Sequence, residues 1–350
     1  MQLKNRINAF VEFGKFINQF SNEKIERKEN ILFNELFFDA FNLQVKRAKE
    51  FNGWFTEENI LYAFNSWSKQ LYYNNLKEWT STYTFNKSEK KIAIIMAGNI
   101  PLVGFHDFIS VLISGHSVIV KQASNDKHFL PFIAKYLEHV EPGFKDIISF
   151  TEDKLANFDA AIATGSNNTA RYFEYYFGKY PNIIRKNRNS VAVITGNETE
   201  EELQGLGEDI FRYFGLGCRS VSKLFVPKGY DFDHIFKAIF KYQEIINYKK
   251  YQNNYDYNKA VYLMSEFKLL ENGFLMLKED TSYSSPIASL FYEYYDDLDQ
   301  LQRKLHHDAD SIQCVVSSSL EKAIPFGQTQ QPSLTDYADG VDTLEFLSKL

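Results

Sequence analysis

Cysteine is scarce: the 350-residue chain holds two, Cys218 and Cys314. Two thiols cannot build a disulfide framework in a chain of this length, which predicts a reducing, cytoplasmic setting. Long apolar runs are missing as well. No stretch approaches the roughly 18 apolar residues that span a bilayer. Lys4, Arg6, Glu12 and Lys15 interrupt the N-terminal segment where a signal-peptide core would lie. A soluble protein with no integral membrane segment is therefore expected. A strong charge excess is absent too: 39 basic and 45 acidic side chains leave a net charge of −6, which argues against nucleic acid as a partner. There is no internal repeat and no low-complexity linker. No G-x-G-x-x-G follows the first strand pattern, so the usual dinucleotide fingerprint is lacking.

What the chain does have is apolar material: 44% of its residues are hydrophobic and 16% aromatic, with 32 Phe and 22 Tyr. That composition excludes a disordered chain, and at about 100 to 200 residues per domain it provides for roughly two cores. The aromatics either fill those cores or line a pocket for an apolar ligand. Residues 1–79 read as helices, with Ile7, Phe10, Val11, Ile17 and Phe20 at helical spacing and no catalytic cluster. Thr80 to Phe85 alternate as a short strand would, and the polar run 86–91 places a boundary near residue 88.

From Lys91 short apolar runs alternate with helical stretches. The order is IAIIMAG, a helix from about Pro101 to Ser114, SVIVK, a helix near 126–139, IISF, AAIATG, a helix to about 179, and SVAVITG ending at Gly196. This pattern predicts an α/β fold whose largely parallel sheet is covered on both faces. Thr199 and Glu202 then form a capping box. The strand SKLFVP follows, and GFLML, IASLFYEYY and SIQCVVS accompany helices near 232–248 and 297–306, which predicts a second α/β domain beginning near 197.

The candidate chemistry sits at a few positions. Cys218 lies in GLGCRS (215–220), after a helix and before an apolar strand. Its glycines let the backbone approach a ligand, and Arg219 favours the thiolate, the nucleophilic form. The same residue also reads as an ordinary buried thiol, because cysteine outside disulfides is among the most buried residue types. Cys314, inside an apolar strand, reads as structural. Asn99 follows IAIIMAG and precedes Pro101; it either caps the next helix or offers an amide N–H to a developing oxyanion. Lys121 ends SVIVK, and Gly165-Ser166 opens the helix after AAIATG, where backbone N–H groups and the helix dipole favour a phosphate. A solvated lysine and a plain helix cap are the alternatives for each taken singly. Asn99, Lys121 and Gly165-Ser166 stand at carboxyl ends of predicted parallel strands, where open α/β sheets bind ligands.

In chain order, strand-Asn-x-Pro, GHSVIVK, ATGS, a glycine-flanked cysteine followed by SKLFVP, and IPFG near the C-terminus resemble the aldehyde dehydrogenase superfamily. Within it, AGNIPLVGFHDFISVLISGHSVIVKQASND (97–126), RKNRNSVAVITG and FGLGCRSVSKLFVP are most similar to the LuxC-type acyl-CoA reductases, which reduce fatty acyl thioesters to aldehydes. The resemblance covers about residues 90–347. It implies an aldehyde-dehydrogenase-like fold with a nicotinamide-dinucleotide-binding domain at 89–196, a catalytic domain at 197–327 and a closing segment at 328–350, with the helical residues 1–88 packed on the cofactor domain. It further implies Cys218 as nucleophile, Asn99 as oxyanion donor, Lys121 at the adenosine ribose, and Gly165 and Ser166 facing the cofactor phosphates, with no metal. Its implied partners are an acyl-CoA substrate, a second copy of the chain in a homo-oligomer, and an acyl-activating enzyme.

The departures from the superfamily pattern are as informative. Hydrolytic members carry a glutamate in Glu-Leu-Gly-Gly, and here that stretch reads Ile184-Arg185-Lys186-Asn187-Arg188 with Arg185 at the glutamate position. A cation cannot be that base, which favours a thioester exchanged with a thiol or reduced by hydride. Lys-Pro-Ser-Glu appears as Lys121-Gln122-Ala123-Ser124, so at Ser124 the carboxylate that would hold a ribose 2′-OH is missing. NADPH is favoured over NADH on that ground, with Lys127 or His128 as partners for the extra phosphate. Ser282 stands where a glutamate usually contacts the nicotinamide ribose. His106 is a candidate proton donor or an ordinary histidine. Two rival readings are a Cys218-dependent acyltransferase or thioesterase without hydride transfer, and a pseudoenzyme that serves as an interaction module.

Overall fold

The computed structural model describes residues 1–21, 25–86 and 88–350, so Lys87, within the polar run, lies outside the described residues. The chain divides into two compact units, residues 1–186 with 333–350, and residues 187–332.

The first unit begins with four helices: α1 (Leu3–Ile17), α2 (Asn34–Phe51), α3 (Glu57–Gln70) and α4 (Tyr73–Thr80). Ile7, Phe10, Phe13 and Ile17 recur every three or four residues along α1 and are all buried, which is why this stretch folds as a helix laid on a core. Gly14 permits its close approach to the end of α3, since a Cβ there would lie 2.7 Å from Leu71 Cβ. The expected strand Thr80–Phe85 is absent. Thr80 ends α4, and the Tyr83 hydroxyl donates to the Asp342 carboxylate at 2.7 Å, so this segment is held by side chains rather than by a ladder.

There follow β1 (Lys91–Ile95), α5 (Phe105–Ser114), β2 (Ser117–Lys121), α6 (Phe129–Val140), β3 (Ile148–Phe150), β4 (Ala160–Thr164), α7 (Asn167–Phe177) and β5 (Asn182–Arg185). The sheet order is β3-β2-β1-β4-β5 and every pair is parallel. Alternate residues of one strand serve opposite layers. Ile92 and Ile94 join the core shared with α1 to α6, whereas Ala93 packs with Ala163 and Phe177 beneath α7. The aromatics fill the first of these cores: the Phe16 and Tyr136 rings are 4.6 Å apart and those of Phe41 and Phe64 5.2 Å. Truncating a fully buried ring such as Phe16 would open a cavity costing about 3–5 kcal/mol.

The second unit comprises β6 (Asn189–Val193), α8 (Glu200–Phe211), β7 (Val221–Pro227), α9 (Asp233–Ala238), α10 (Lys249–Met264), β8 (Leu269–Glu271), β9 (Met276–Glu279), β10 (Ser289–Tyr295), α11 (Leu298–His307) and β11 (Ile312–Val316). Its sheet runs β11-β6-β7-β10-β9-β8, parallel except for the β8–β9 pair. The capping box of Thr199 and Glu202 opens α8. The division expected at 196 falls instead at 186/187: β6 pairs with β7 and β11, and Val191 and Val193 bury against Phe225 and Leu301 in this unit's core. Likewise the chain rejoins the first unit at 333 rather than 328, where α12 (Thr343–Ser348) buries Leu344 and Leu347 in the first core. The helix expected at 232–248 is α9 followed by 3-10 turns over 239–247. Helix α10 carries no apolar stripe; its buried face is Tyr251, Tyr255, Asn258 and Tyr262, and the Tyr251 hydroxyl and Asn258 amide satisfy themselves on the Phe274 and Ile287 carbonyls at 2.9 Å each.

Candidate active site

In the first unit the chain runs from β1 outward to β2 and β3 and then returns on the other side with β4. The crevice at the carboxyl ends of β1 and β4 is thus the topological switch point, where such sheets bind ligands. Gly165 and Ser166 follow β4 directly at that point. Ser166 caps α7: its Oγ accepts the Thr169 N–H at 3.3 Å and pairs with Thr169 Oγ1 at 2.9 Å. The first-turn N–H groups of α7 are donors of the kind that hold anions. A side chain at Gly165 would collide with the helix, because a Cβ would lie 2.9 Å from the Phe173 ring.

Lys121 flanks β1 on the opposite side, and its Nζ donates to the Asp153 carbonyl at 2.9 Å. The loop 122–126 then folds over the end of β1. Only glycine fits beneath it at position 98, where a Cβ would stand 2.5 Å from Asn125 Oδ1 and 2.8 Å from Ala123 Cβ. Ser124 is exposed on this loop. Asp126 closes it, its carboxyl pushed by burial up to a pKa of about 7. Lys127 pairs with Glu152 at 2.5 Å and the His128 ring packs 3.7 Å from the Phe51 ring, so both candidate phosphate partners are engaged within the protein.

Asn99 is half-buried just beyond Gly98. The helix expected from Pro101 starts at Phe105, after a turn in which Leu102 adopts φ 58°, so Asn99 does not cap it. Gly104, which ends the turn, packs closely on Met96: a Cβ there would lie 2.6 Å from its Sδ. The Asn99 loop is instead anchored from the helical segment: Asn52 Nδ2 donates to the Gly98 carbonyl at 2.9 Å while Asn52 Oδ1 accepts the Trp54 N–H at 3.0 Å. Sequence reasoning missed Asn52, since nothing local to the end of α2 points to a loop 46 residues away.

His106 proves an ordinary histidine. Its Nε2 meets the Leu334 carbonyl at 2.9 Å, its ring packs among Trp67, Trp79 and Tyr337, and burial lowers its pKa. Arg185 ends β5 with its guanidinium inside the first unit, 2.9 and 2.8 Å from the two Asp107 oxygens and 3.0 Å from Thr343 Oγ1.

Cys218 belongs to the second unit. The reading as a buried thiol is corrected: Cys218 is exposed, in a turn, whereas Cys314 is buried with its Sγ 2.9 Å from Ser190 Oγ. Ser190 Oγ also donates to the Cys218 carbonyl at 2.9 Å, and the Ser220 N–H closes the turn on the Gly217 carbonyl at 3.0 Å. Arg219 Nε donates to the Thr329 carbonyl at 2.5 Å. Three consecutive residues before the turn lie in the left-handed region, Tyr213 at φ 55°, Phe214 at 57° and Gly215 at 74°. Only the glycine adopts this freely; each aromatic residue is disfavoured by about 1–2 kcal/mol. Phe214 is held there by stacking on Tyr248 at 4.6 Å. Ser282 lies exposed on the loop after β9, its N–H bound to Asp280 Oδ1 at 2.8 Å. Among the described residues no group of three or more His, Cys, Asp or Glu side chains could hold a metal ion, and no helix is long and apolar enough to cross a membrane.

Two parallel-sheet units of this order define the aldehyde dehydrogenase fold. Aldehyde dehydrogenase 21 of Physcomitrella patens, solved with the product succinate, matches with a TM-score of 0.65 at 11% identity over 92% of this chain and 75% of its own. The NAD-dependent aldehyde dehydrogenase of Sinorhizobium meliloti gives 0.63 at 12% identity over 92% and 72%. An NAD⁺ complex of the Bacillus cereus enzyme gives 0.61 at 13% over 90% and 72%. At these identities the likeness is one of fold. The family model described as acyl-CoA reductase (LuxC) matches residues 13–246, and the chain belongs to that family. It is therefore an oxidoreductase of the acyl-CoA-reducing class. Among curated proteins none matches.

Proposed function

We propose that this enzyme reduces a fatty acyl-CoA to the aldehyde with NADPH, through a thioester on Cys218. The observation that carries the cysteine is its setting: an exposed thiol in a turn whose Cys218 carbonyl is held from β6 by Ser190 and whose Arg219 side chain is bound to the Thr329 carbonyl, directly after a strained left-handed run. Cys218 as thiolate attacks the thioester carbonyl carbon; a new C–S bond forms, the bond to CoA breaks, and CoA leaves as a thiolate that is protonated by solvent. The Asn99 amide and the Cys218 N–H donate to the tetrahedral oxyanion, each worth about 100- to 1000-fold in rate. When bound, the reduced nicotinamide supplies the hydride that converts the Cys218 thioester to aldehyde and returns the thiolate.

The cofactor's residues come from the first unit. Gly165, Ser166 and the N-terminus of α7 take the phosphates at the switch point, Lys121 takes the adenosine ribose, and Ser124 leaves room for a 2′-phosphate. NADH is the second reading, favoured by Asp126, a carboxyl two residues beyond Ser124. A homo-oligomer, an acyl-activating partner enzyme and a cytoplasmic location belong to the same proposal.

The test is NADPH absorbance with acyl-CoAs from short to long, on wild type and Cys218→Ala. Consumption with one chain-length class, lost in the variant, supports the reading and names the substrate. Acyl label trapped on Cys218 with no NADPH consumed means an acyltransferase or thioesterase instead. Silence without label refutes the cysteine chemistry and favours an interaction module.

A further inference from the structure

The outer side of the Cys218 turn hangs on the segment 326–330. Arg219 Nε donates to the Thr329 carbonyl, and Gln330 Nε2 donates to Ser220 Oγ at 3.3 Å. That segment is neither strand nor helix. What fixes it is Asp209, a fully buried carboxylate on α8. Its Oδ2 accepts the Gly327 N–H at 2.7 Å, and its Oδ1 accepts both the Thr329 N–H at 3.0 Å and the Thr329 hydroxyl at 2.8 Å.

Two glycines make the approach possible. A Cβ at Gly205, one helical turn before Asp209, would lie 2.9 Å from the Phe326 carbonyl carbon. One at Gly327, already at φ 80°, would lie 3.2 Å from Gly205 Cα. Burying a carboxylate is costly unless donors surround it, and here three converge on its two oxygens. No amide can replace it fully, because Asp209→Asn would turn an N–H toward one of those donors.

We infer that Asp209 is a positioning residue for the nucleophile. It sets the segment 326–330, and through Thr329 and Gln330 that segment sets the Cys218 turn and the direction of the Arg219 guanidinium. The inference rests on the proposed role of Cys218.

The experiment uses the full chain with three substitutions. Asp209→Asn keeps the shape and reverses one acceptor, Thr329→Val removes only the hydroxyl bond, and Thr329→Ser retains it. Misplacing a reacting group by about 1 Å costs on the order of 100-fold, so Asp209→Asn and Thr329→Val should lower kcat by about 10- to 100-fold while KM for acyl-CoA stays within about twofold. Thr329→Ser should recover kcat to within about twofold. Alkylation of Cys218 by iodoacetamide needs no alignment with a bound carbonyl and follows only the thiolate fraction that Arg219 influences, so in Asp209→Asn and Thr329→Val it should slow by no more than about threefold, far less than kcat, and in Thr329→Ser it should stay at the wild-type rate. Wild-type kcat in both disruptive variants, or Thr329→Ser as slow as Thr329→Val, overturns the inference; if Asp209→Asn does not fold, the Thr329 pair decides. Acyl transfer to wild-type Cys218 is measured first. Its absence overturns the nucleophile and this inference with it, whereas intact acylation with undisturbed variants overturns this inference alone.

Discussion

Replacing Arg185 by methionine should destabilise the first unit by about 5 kcal/mol. Arg185 joins β5 to α5 through Asp107, the two side chains being 8% and 5% exposed, at 2.8 Å. Methionine fills much of the same space but leaves the Asp107 carboxylate buried without its cation, and breaking a buried pair from one side costs about 3–5 kcal/mol. The bond to Thr343 Oγ1, which ties α12 to the sheet, adds about 1 kcal/mol. Combining Arg185→Met with Asp107→Leu strands no charge, and stability should return to within about 1 kcal/mol of wild type or exceed it. The three tryptophans, Trp54, Trp67 and Trp79, all lie in the first unit, so urea unfolding followed by tryptophan fluorescence reads that unit by itself. With slopes of about 1–3 kcal/mol per molar urea, the midpoint of the single variant should fall by roughly 1.5 M or more. A single variant within about 1 kcal/mol of wild type, or a double variant no more stable than the single, would refute the claim that Asp107 depends on this partner.

Asn52→Leu should leave the Gly98 carbonyl unsatisfied, costing about 1–3 kcal/mol, and should lower kcat through Asn99 while Cys218 alkylation is unchanged; urea titration and steady-state kinetics read the two effects. Asp209 bears on stability against pH. Burial raises its folded pKa to about 6 from 3.8, so between about pH 4 and 6 the folded chain holds a proton that the unfolded chain has lost. Stability is greatest below that window and falls as pH rises through it, by at most about 3 kcal/mol; hydrogen-exchange protection of α8 should show the slope, and Asp209→Asn should flatten it. Ser124→Glu restores a carboxylate able to hold a ribose 2′-OH and repel a 2′-phosphate, so the kcat/KM ratio of NADH to NADPH should rise by about tenfold or more. An unchanged ratio would remove Ser124 from the cofactor's surroundings.

The sequence by itself determined the class of fold and the order of the candidate site. Apolar runs alternating with helical stretches from Lys91 could form only a covered parallel sheet. Glycine-flanked Cys218, Asn99 after β1 and Gly165-Ser166 after β4 were visible because turns and helix starts leave local signatures. Tertiary structure decided what those segments meet. The apolar alternation of β6 fits either sheet, and only its pairing with β7 and β11 assigns it to the second unit. Helix α10 hid its buried face because tyrosines and an asparagine make it, each satisfied by partners distant in sequence. Asn52 to Gly98, Arg185 to Asp107 and Asp209 to Thr329 span 46, 78 and 120 residues. Periodicity reports which side of an element avoids water; it carries no record of which polar group, brought near by the fold, will satisfy another, and these three anchors are bonds of that second kind.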